Sequence, residues 1–373
     1  MKTLKNLLYL LPMMGMMTIS SCTDVENIEV EHIGGFNTSN DEKSEEYYAN
    51  LRAYKQQAVN YGRPVAFGWY SNWAPAGAYR RGYLTSMPDS MDIVSMWSGA
   101  PSRHQLTPEQ KKDKEFVQKV KGTKLLEVSL LSYIGKGRTP ESVYEPVRKK
   151  ADEEGWPEDK LNQEMIKARW KFWGYNGISG NQNHKEALAR YAKALCDSLV
   201  VNEWDGFDID WEIGSGVFDM DGSLSTNQDL EYLIKEMNNY IGPKSDPEGK
   251  GHKLICIDGG ISYFVRAIPE YVDYFIIQSY GGVSDLNRYP DPRKIITTDN
   301  FESNAHSGGS LLQQAASMPN NGYKGGVGAF RMDNDYDNTP DYKWMRQAIQ
   351  INQKVFNEWK ENQDKLNKTN EKQ

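Results

Sequence analysis

Four carboxylates fall within eight residues in the stretch Asp205-Gly206-Phe207-Asp208-Ile209-Asp210-Trp211-Glu212. Asp208, Asp210 and Glu212 are spaced by two residues, and the residues between them are large and apolar. Because side chains alternate between the two faces of a β-strand, this spacing predicts a strand with three acids on one face and apolar groups on the other. Carboxylates this close cannot all ionise without cost, so at least one is expected to hold a proton near neutral pH, as a general acid does.

The rest of the chain alternates apolar runs with helical patterns, which is typical of a parallel α/β sheet. With the acidic stretch, seven further runs predict eight strands; the runs lie at 64–70, 91–97, 124–131, 253–258, 272–280, 294–298 and 325–330. The clearest helical patterns lie at 185–201, 227–240 and 342–367. We therefore expect a (β/α)8 TIM barrel, with reduced helices after the fifth and sixth strands because those connections are short. A doubly wound open sheet is the alternative, but no glycine-rich phosphate loop follows the first strand.

The first 21 residues have the pattern of a targeting segment. Lys2 and Lys5 precede a Met-rich apolar run that is too short for a membrane span, and Cys22 follows where cleavage is expected. This arrangement resembles a bacterial lipobox, which predicts a lipoprotein signal peptide at 1–21 and a lipid anchor on Cys22. A secretory peptide with an incidental cysteine is the alternative. The polar, acidic segment 22–45 predicts a flexible tether, and 46–373 a single barrel domain.

Composition and charge limit the classes of ligand that the chain is expected to bind. The 373-residue chain has a net charge of −7 and a pI near 5.5, which argue against nucleic acid or anionic lipid as the main partner. The five histidines are scattered and the cysteines lack metal-ligand spacing, so we expect no metal site and no cofactor. Cys196 lies in a helical pattern and Cys256 in an apolar run, which favours buried free thiols over a disulfide. We expect a monomer.

The acidic stretch matches a known family pattern. Its spacing resembles the DxxDxDxE signature of glycoside hydrolase family 18, with all four acidic positions filled. Gln278-Ser279-Tyr280, at the end of the sixth predicted strand, resembles a second family motif. The resemblance covers residues 60–366, and the short connections resemble the endoglycosidase branch. Two departures weaken a chitinase interpretation: 131–135 only partly matches the family's SxGG pattern, and 329–332 lacks the tryptophan found in chitinases.

The resemblance implies a substrate-assisted hydrolysis in which the sugar's own acetamido oxygen attacks the anomeric carbon. Glu212 would be the general acid and then the base, Asp210 would accept the acetamido N–H, and Asp208 would share a proton with Asp210. Tyr280 would donate its hydroxyl to the acetamido oxygen. Asp205 has the opposite parity and is expected to support the start of the strand. A calcium site is the alternative for the acidic stretch, but its apolar residues require burial rather than a turning loop.

Aromatic residues near the predicted strand ends are candidates for stacking on sugar rings. Trp69, Tyr70 and Trp97 lie at the ends of the first two strands, and Gln278 lies close to Tyr280. Flat aromatic faces suit sugar rings, whereas packing in the core is an equally good interpretation for each aromatic residue. We therefore treat Trp69, Tyr70, Trp97 and Gln278 as candidate substrate-binding residues.

Together these features predict an endo-β-N-acetylglucosaminidase that hydrolyses the GlcNAc-β1,4-GlcNAc core of N-glycans. The alternatives are a non-catalytic glycan-binding lipoprotein on the same fold and a chitinase. Lipid on Cys22 would anchor the chain in the cell envelope, at the outer membrane, and the layout resembles surface glycan-foraging lipoproteins of gut Bacteroidota. The choice of glycan would lie in the segments that follow the strands, chiefly 71–90, 98–122, 132–180 and 213–226.

Overall fold

The computed structural model describes residues 43–212, 220–249 and 251–370, and in it eight parallel strands close into a barrel. The strands are β1 (Val65–Trp69), β2 (Ile93–Met96), β3 (Lys124–Leu130), β4 (Gly206–Trp211), β5 (Leu254–Gly259), β6 (Tyr274–Ile277), β7 (Ile295–Asn300) and β8 (Gly326–Phe330). Each strand pairs with the next, and β8 pairs with β1. The predicted (β/α)8 barrel is confirmed, although β6 ends at Ile277, before Tyr280 is reached.

Helices connect most of the strands. In the described part of the chain they are α1 (Glu45–Gln56), α2 (Pro108–Glu115), α3 (Glu145–Glu154), α4 (Glu158–Trp173), α5 (Gln182–Val201), α6 (Asn227–Met237), α7 (Phe264–Ala267), α8 (Phe301–Asn304), α9 (Leu311–Ala316) and α10 (Lys343–Asn370). A π-helical turn at Phe116–Val120 extends α2. Short 3₁₀ turns lie at Val59–Tyr61, Arg80–Gly82, Leu84–Ser86, Glu141–Val143, Pro243–Ser245, Pro269–Tyr271, Leu286–Arg288, Pro292–Lys294 and Met332–Asp337.

The connections after β5 and β6 are reduced, as predicted. Between β5 and β6, whose connection is fully described, the chain forms the short α7 and one 3₁₀ turn. The β6–β7 connection, also fully described, contains only the 3₁₀ turns Leu286–Arg288 and Pro292–Lys294. This side of the barrel therefore has a thinner outer layer than the side covered by α5 and α6.

Helix α1 lies across the end of the barrel at which the strands begin. It starts after Ser44, whose side chain accepts the Tyr47 N–H. Lys55 donates to Thr123 just before β3 (2.7 Å), and the Tyr47 hydroxyl donates to Asp89 before β2 (2.5 Å). The domain boundary predicted at residue 46 therefore falls in the first turn of α1.

The barrel has an inner and an outer apolar layer. In the outer layer Phe207, Ile209 and Trp211 are fully buried against the helices, as their alternation with the acids predicts. The intervening Asp208 and Asp210 point to the opposite face, into the barrel. The inner layer consists of Val65, Phe67, Trp69, Ile93, Leu126, Cys256, Tyr274, Ile276 and Ile296.

Two glycines at the seam between β8 and β1 allow the barrel to close. A Cβ at Gly326 would lie 2.4 Å from the carbonyl oxygen of Val65, and one at Gly328 would lie 2.3 Å from that of Phe67. Both separations are shorter than a carbon–oxygen contact allows, so any larger residue would push β1 away from β8. The close approach leaves room inside for Phe67 and Trp69, which pack edge to face at 4.7 Å.

Both cysteines of the described residues are buried and free, as predicted: Cys196 lies on α5 and Cys256 on β5. Within the described ranges no helix is both long and apolar enough to cross a bilayer. Nor does that part of the chain contain three His, Cys, Asp or Glu side chains placed to hold a metal ion. The predicted signal peptide (1–21), Cys22 and the tether up to residue 42 lie outside the described residues.

Candidate active site

The acids of β4 line the end of the barrel at which the strands finish. Asp208 and Asp210 are buried, with 0% and 2% of their surface exposed, and Glu212 follows the last residue of β4 and is half-buried. Successive acids thus lie closer to the mouth of the barrel. Gly259, which ends the neighbouring β5, and Gly260, which follows it, make room for this strand end, since a Cβ at Gly259 would lie 2.7 Å from the carbonyl oxygen of Trp211.

Asp208 is fixed by donors from two other strands. Its Oδ2 accepts hydrogen bonds from the Trp69 indole N–H (2.9 Å) on β1 and from the Ser95 hydroxyl (2.6 Å) on β2. Its Oδ1 is buried and accepts no hydrogen bond from an N–H or a hydroxyl. The two donors hold the carboxylate in one orientation, with the second oxygen turned towards the other acids.

A fourth acid of the mouth, Asp258, is not among the residues predicted from the sequence. It lies on β5, paired in register with Asp210, and is 1% exposed. The Gln278 side-chain amide donates to its Oδ1 at 2.7 Å, whereas its Oδ2 is buried without such a donor. Asp258 does end the apolar run 253–258, so an acid at the last position of a predicted strand was the signal that could have identified it.

Burial raises the pKa of each of these three aspartates. For Asp208, the hydrogen bonds from Ser95 and Trp69 offset part of the rise in pKa. For Asp210, the nearby Glu212 adds to the effect of burial on the pKa. The pKa of Asp258 is raised well above its usual value, by burial and then by Asp208 and Asp210. These raised pKa values favour a bound proton within the cluster, and Asp258, which the sequence did not indicate, is the first candidate to carry it.

Tyr280 faces the acids from the connection after β6. It is 41% exposed, and its ring lies against Phe330 at 6.1 Å, tilted by 35°. Partial burial of the hydroxyl raises its pKa, and the charges of Asp258 and Asp210 raise it further. The hydroxyl consequently keeps its proton at neutral pH and is a hydrogen-bond donor at the mouth.

An aromatic group forms the opposite wall of the mouth. Phe330 ends β8, and the rings of Trp97 and Trp69 pack against it edge to face, at 5.2 and 6.1 Å. Trp97 is 39% exposed, so a face remains accessible to a ligand. Residues 329–332 lack a tryptophan, and the structure places Phe330 in the mouth at that point, beside Tyr280.

Two of the predicted stacking residues cannot contact a sugar. Trp69 is 1% exposed, lies inside the barrel and donates to Asp208. Tyr70 is 0% exposed and lies outside the barrel, where its hydroxyl donates to the carbonyl oxygens of Arg81 and Tyr83. Both assignments are corrected: each ring is core, because strand alternation turns one into the barrel and the other towards the helices.

Gln278 and Asp205 have structural partners. Gln278 donates to Asp258, so its amide orients an acid of the mouth. Asp205 lies at the other end of β4, where its Oδ2 accepts the Leu125 N–H at 2.9 Å and the Gln118 side chain at 2.7 Å. Asp205 thus joins the start of β4 to the start of β3, which is the supporting role predicted for it.

The connection that follows β3 forms a wall beside the acids. Arg138 contacts Glu127 of β3 through two hydrogen bonds of 2.5 and 2.7 Å, and Lys136 lies close enough to Asp210 to oppose the rise in its pKa. On α4, Arg169 forms a 2.6 Å ion pair with Asp221, whose side chain is 3% exposed. Asp221 belongs to the connection after β4, whose residues 213–219 lie outside the described residues, so the ion pair joins the two connections that flank Glu212.

Comparison with known sequences gives one family match. The sequence model of glycoside hydrolase family 18, BT1044-like, matches residues 23–303, a range that contains the acids, Gln278 and Tyr280. No curated protein matches the chain.

Solved structures share the barrel. A selenomethionine structure of BT1044 with a Glu-to-Gln substitution has a TM-score of 0.64 and 26% identity, over 86% of this chain and 96% of that chain. The endo-beta-N-acetylglucosaminidase from Cordyceps militaris, as a double mutant in complex with fucosyl-N-acetylglucosamine-Asn, has a TM-score of 0.55 and 17% identity, over 84% and 98% of the two chains. Its apo form gives 0.54 and 16% over the same shares. At the identities of the fungal structures, the similarity shows a common fold.

Proposed function

Because this chain belongs to glycoside hydrolase family 18, we propose that it is an endo-β-N-acetylglucosaminidase that cleaves between the two core GlcNAc residues of N-glycans. The observation that carries this proposal is the convergence of Glu212, Asp210 and the Tyr280 hydroxyl at one mouth of the barrel. These groups supply a proton donor, an acceptor for an amide N–H and a donor for an amide oxygen, which is the set that a 2-acetamido sugar requires for substrate-assisted hydrolysis.

In the proposed reaction the acetamido oxygen attacks the anomeric carbon while the bond to the leaving oxygen breaks. Glu212 gives its proton to the leaving oxygen, and Asp210 accepts the acetamido N–H as the amide becomes positively charged. Tyr280 donates to the acetamido oxygen and holds it in line for attack. Glu212, now ionised, then takes a proton from water, whose oxygen opens the cyclic intermediate at the same carbon, and net configuration is retained.

Two features favour the endoglycosidase over a chitinase. Because the connections after β5 and β6 are short, they build up less of the rim of the barrel on that side, which leaves space for a bulky glycoprotein substrate. Phe330, rather than a tryptophan, stands at the end of β8 beside Tyr280. A non-catalytic glycan-binding role is not favoured, because Glu212, Asp210, Asp208 and Tyr280 are all present.

The test uses the mature chain and glycoproteins that carry defined high-mannose, hybrid or complex N-glycans. We expect the mass of one of them to fall to that of the polypeptide with a single GlcNAc on Asn. Glu212→Gln should reduce the rate by at least about 10²–10⁴-fold, the usual contribution of a general acid, while it still binds the same glycan. Release of soluble chito-oligosaccharides from chitin would instead favour a chitinase. If wild type and Glu212→Gln both bind a glycan and neither cleaves any, the chain is a binding protein.

We further propose that lipid on Cys22 anchors the mature chain in the outer membrane. The proposal rests on the order of a basic segment, an apolar run and a cysteine within residues 1–22. Cys22→Ser should move the protein from the membrane fraction to the soluble fraction and abolish incorporation of a labelled fatty acid. An unlabelled wild-type protein would contradict the anchor without affecting the proposed activity. We also propose that the chain is a monomer, which sedimentation at several concentrations tests.

A further inference from the structure

We propose that Asp258 is a positioning residue of the reaction. Its neutral carboxyl group keeps its proton, donates a hydrogen bond to the Asp208–Asp210 pair and thereby holds Asp210 in place to accept the acetamido N–H. This inference rests on the proposed function, since it assigns a role within the same site. It concerns a residue outside the acidic stretch, on the neighbouring strand β5.

The unpaired oxygen atoms of the cluster require a shared proton. Asp208 Oδ1, Asp210 Oδ1 and Asp258 Oδ2 are all buried, and none of them accepts a hydrogen bond from an N–H or a hydroxyl. A buried acceptor without a donor costs about 1–3 kcal/mol, and more when it is charged. Asp258 pairs in register with Asp210 and lies within hydrogen-bond reach of both Asp208 and Asp210, so one proton on its Oδ2 would supply a donor to one of the two unpaired oxygens.

The existing hydrogen bonds favour Asp258 over Asp208 as the residue that holds this proton. Asp208 Oδ2 already accepts from Trp69 and Ser95, which stabilises its ionised form. Asp258 accepts only the Gln278 amide, at Oδ1, and is 1% exposed. Asp258 is therefore less able to carry a charge than Asp208, which has two donors, or Asp210, which lies near the Lys136 cation.

The surrounding charges act in the same direction. The titratable groups that face the cluster are Asp208, Asp210 and Glu212 from β4 and its end, Cys256 from β5, Tyr280 from the connection after β6, and Lys136 from the connection after β3. Lys136 is the only cation among these groups of the described chain, and it acts on Asp210. The environment of Asp258 therefore favours a bound proton over a negative charge.

A neutral Asp258 would serve the reaction by holding Asp210 without moving a proton in the chemical step. Its O–H would donate to one oxygen of Asp210, which leaves the other oxygen for the acetamido N–H. Asp210 would remain ionised because a hydrogen bond to a carboxylate favours the charged form. Without the donor, Asp210 could turn away from the substrate or take up a proton itself, and either change would weaken stabilisation of the intermediate.

The experiment compares Asp258→Asn with Asp258→Leu. Asparagine retains an N–H donor and cannot ionise, so we expect kcat to stay within about 10-fold of wild type, since a neutral donor replaces a neutral donor. Leucine removes the donor, and kcat should fall by roughly 10–150-fold, the fold-change that matches a hydrogen bond to a charged group. KM should change little in both variants. If Asp258→Asn is as inactive as Asp258→Leu, or more so, Asp258 acts as an anion and the inference is wrong.

An infrared spectrum provides a readout that does not depend on activity. At about pH 8, well above the ordinary aspartate pKa of about 4, the wild type should show the carbonyl band of a protonated carboxylic acid. Asp258→Asn should lose this band, while the matched Asp205→Asn, at the other end of β4, should keep it. Absence of the band from wild type, or its persistence in Asp258→Asn, would overturn the inference. Failure of wild type to hydrolyse any glycan would contradict the proposed function alone, because the band would still report the proton.

Discussion

Tyr280 lies at the junction of the acidic and aromatic walls of the mouth. Its ring contacts Phe330, and its hydroxyl lies near Asp258 and Asp210. The ring contact restricts where the hydroxyl can point, and partial burial, with the nearby acids, raises its pKa and keeps its proton bound. Tyr280 thus lies between the aromatic side chains, which suit the face of a sugar ring, and the acids, which suit an amide group.

Tyr280→Phe removes only the hydroxyl and should preserve the ring contact with Phe330. If the hydroxyl stabilises the acetamido oxygen mainly in the transition state, we expect kcat to fall by about 10²–10³-fold with little change in KM. Steady-state kinetics on a defined N-glycan measure both constants. The matched control is Tyr54→Phe, which removes a hydroxyl that donates to Gln353 Oε1 at 3.1 Å, far from the mouth, and should leave both constants unchanged.

A rise in KM at constant kcat would contradict this role of Tyr280. In that case the hydroxyl would bind the ground state and the transition state equally, as a general sugar contact does. The same kinetic split distinguishes Tyr280 from Trp97, whose exposed ring is expected to contribute to binding in both states.

At the scale of the element, β4 carries different tasks at its two ends. Its last residues present the acids, whereas Asp205, just before it, accepts the Leu125 N–H at the start of β3. The Asp205 backbone N–H also donates to the Leu125 carbonyl oxygen at 2.8 Å. The acidic stretch is therefore one sequence motif with a proposed catalytic end and a structural end.

Asp205→Ala should lower stability and leave catalysis intact. The change removes the acceptor of the Leu125 N–H and of the Gln118 side chain, so we expect the free energy of unfolding to fall by about 1–3 kcal/mol. Urea unfolding measures this loss, and kcat/KM on the same protein should stay near the wild-type value. An exposed ion pair supplies the control: Asp197→Ala on α5, which loses Lys193 as a partner, should cost less than about 1 kcal/mol.

A loss of activity in Asp205→Ala at unchanged stability would place Asp205 in the catalytic machinery. Such a result would mean that the placement of Glu212 depends on how the start of β4 is held. Equal destabilisation by Asp205→Ala and Asp197→Ala would show that the β3–β4 contact contributes no more than a surface pair.

Strand alternation predicted the parts of the site that a single strand contains. The spacing of two between Asp208, Asp210 and Glu212 was enough to assign their face, and the eight apolar runs were enough to assign the barrel. Asp258 was missed because its role arises from pairing between β4 and β5, and the register of two strands is not visible in either one. The same reason applies to Trp69, whose indole crosses the barrel to Asp208.

Side chains in the connections were harder to predict than those in the strands. Tyr70 follows β1 and would have suited a sugar-binding loop, but the chain turns it towards the helices. The place of Phe330 in the mouth depends on its contacts with Trp97, Trp69 and Tyr280, which the sequence around Phe330 does not show. The contacts that place these rings come from distant segments, so no local pattern specifies them.

At the scale of the whole molecule, buried charges at the two ends of the barrel respond to pH in opposite ways. At the end covered by α1, burial would raise the pKa of Asp89, but Lys121 at 2.6 Å and the Tyr47 hydroxyl hold that pKa well below its usual range. This pair stabilises the fold above the ordinary aspartate pKa of about 4, and the stabilisation is lost as the pH falls through the lowered pKa of Asp89. The acids at the mouth have raised pKa values, so their effect on stability has the reverse sign.

The free energy of unfolding should fall as the pH rises above about 4, because the folded state raises the pKa of Asp258, Asp210 and Asp208, so that these acids release their protons at a higher pH than in the unfolded chain, and Asp258 keeps its proton after Asp210 has ionised. Each unit by which a folded pKa is raised corresponds to about 1.4 kcal/mol lost across this window.

Asp258→Asn cannot ionise, so its stability should exceed that of wild type by an amount that grows with pH. Urea unfolding at steps from about pH 5 to pH 8 measures the difference between the two proteins. Parallel curves for wild type and Asp258→Asn would mean that Asp258 has the same pKa in the folded and unfolded states, and the mouth of the barrel would then hold its proton elsewhere.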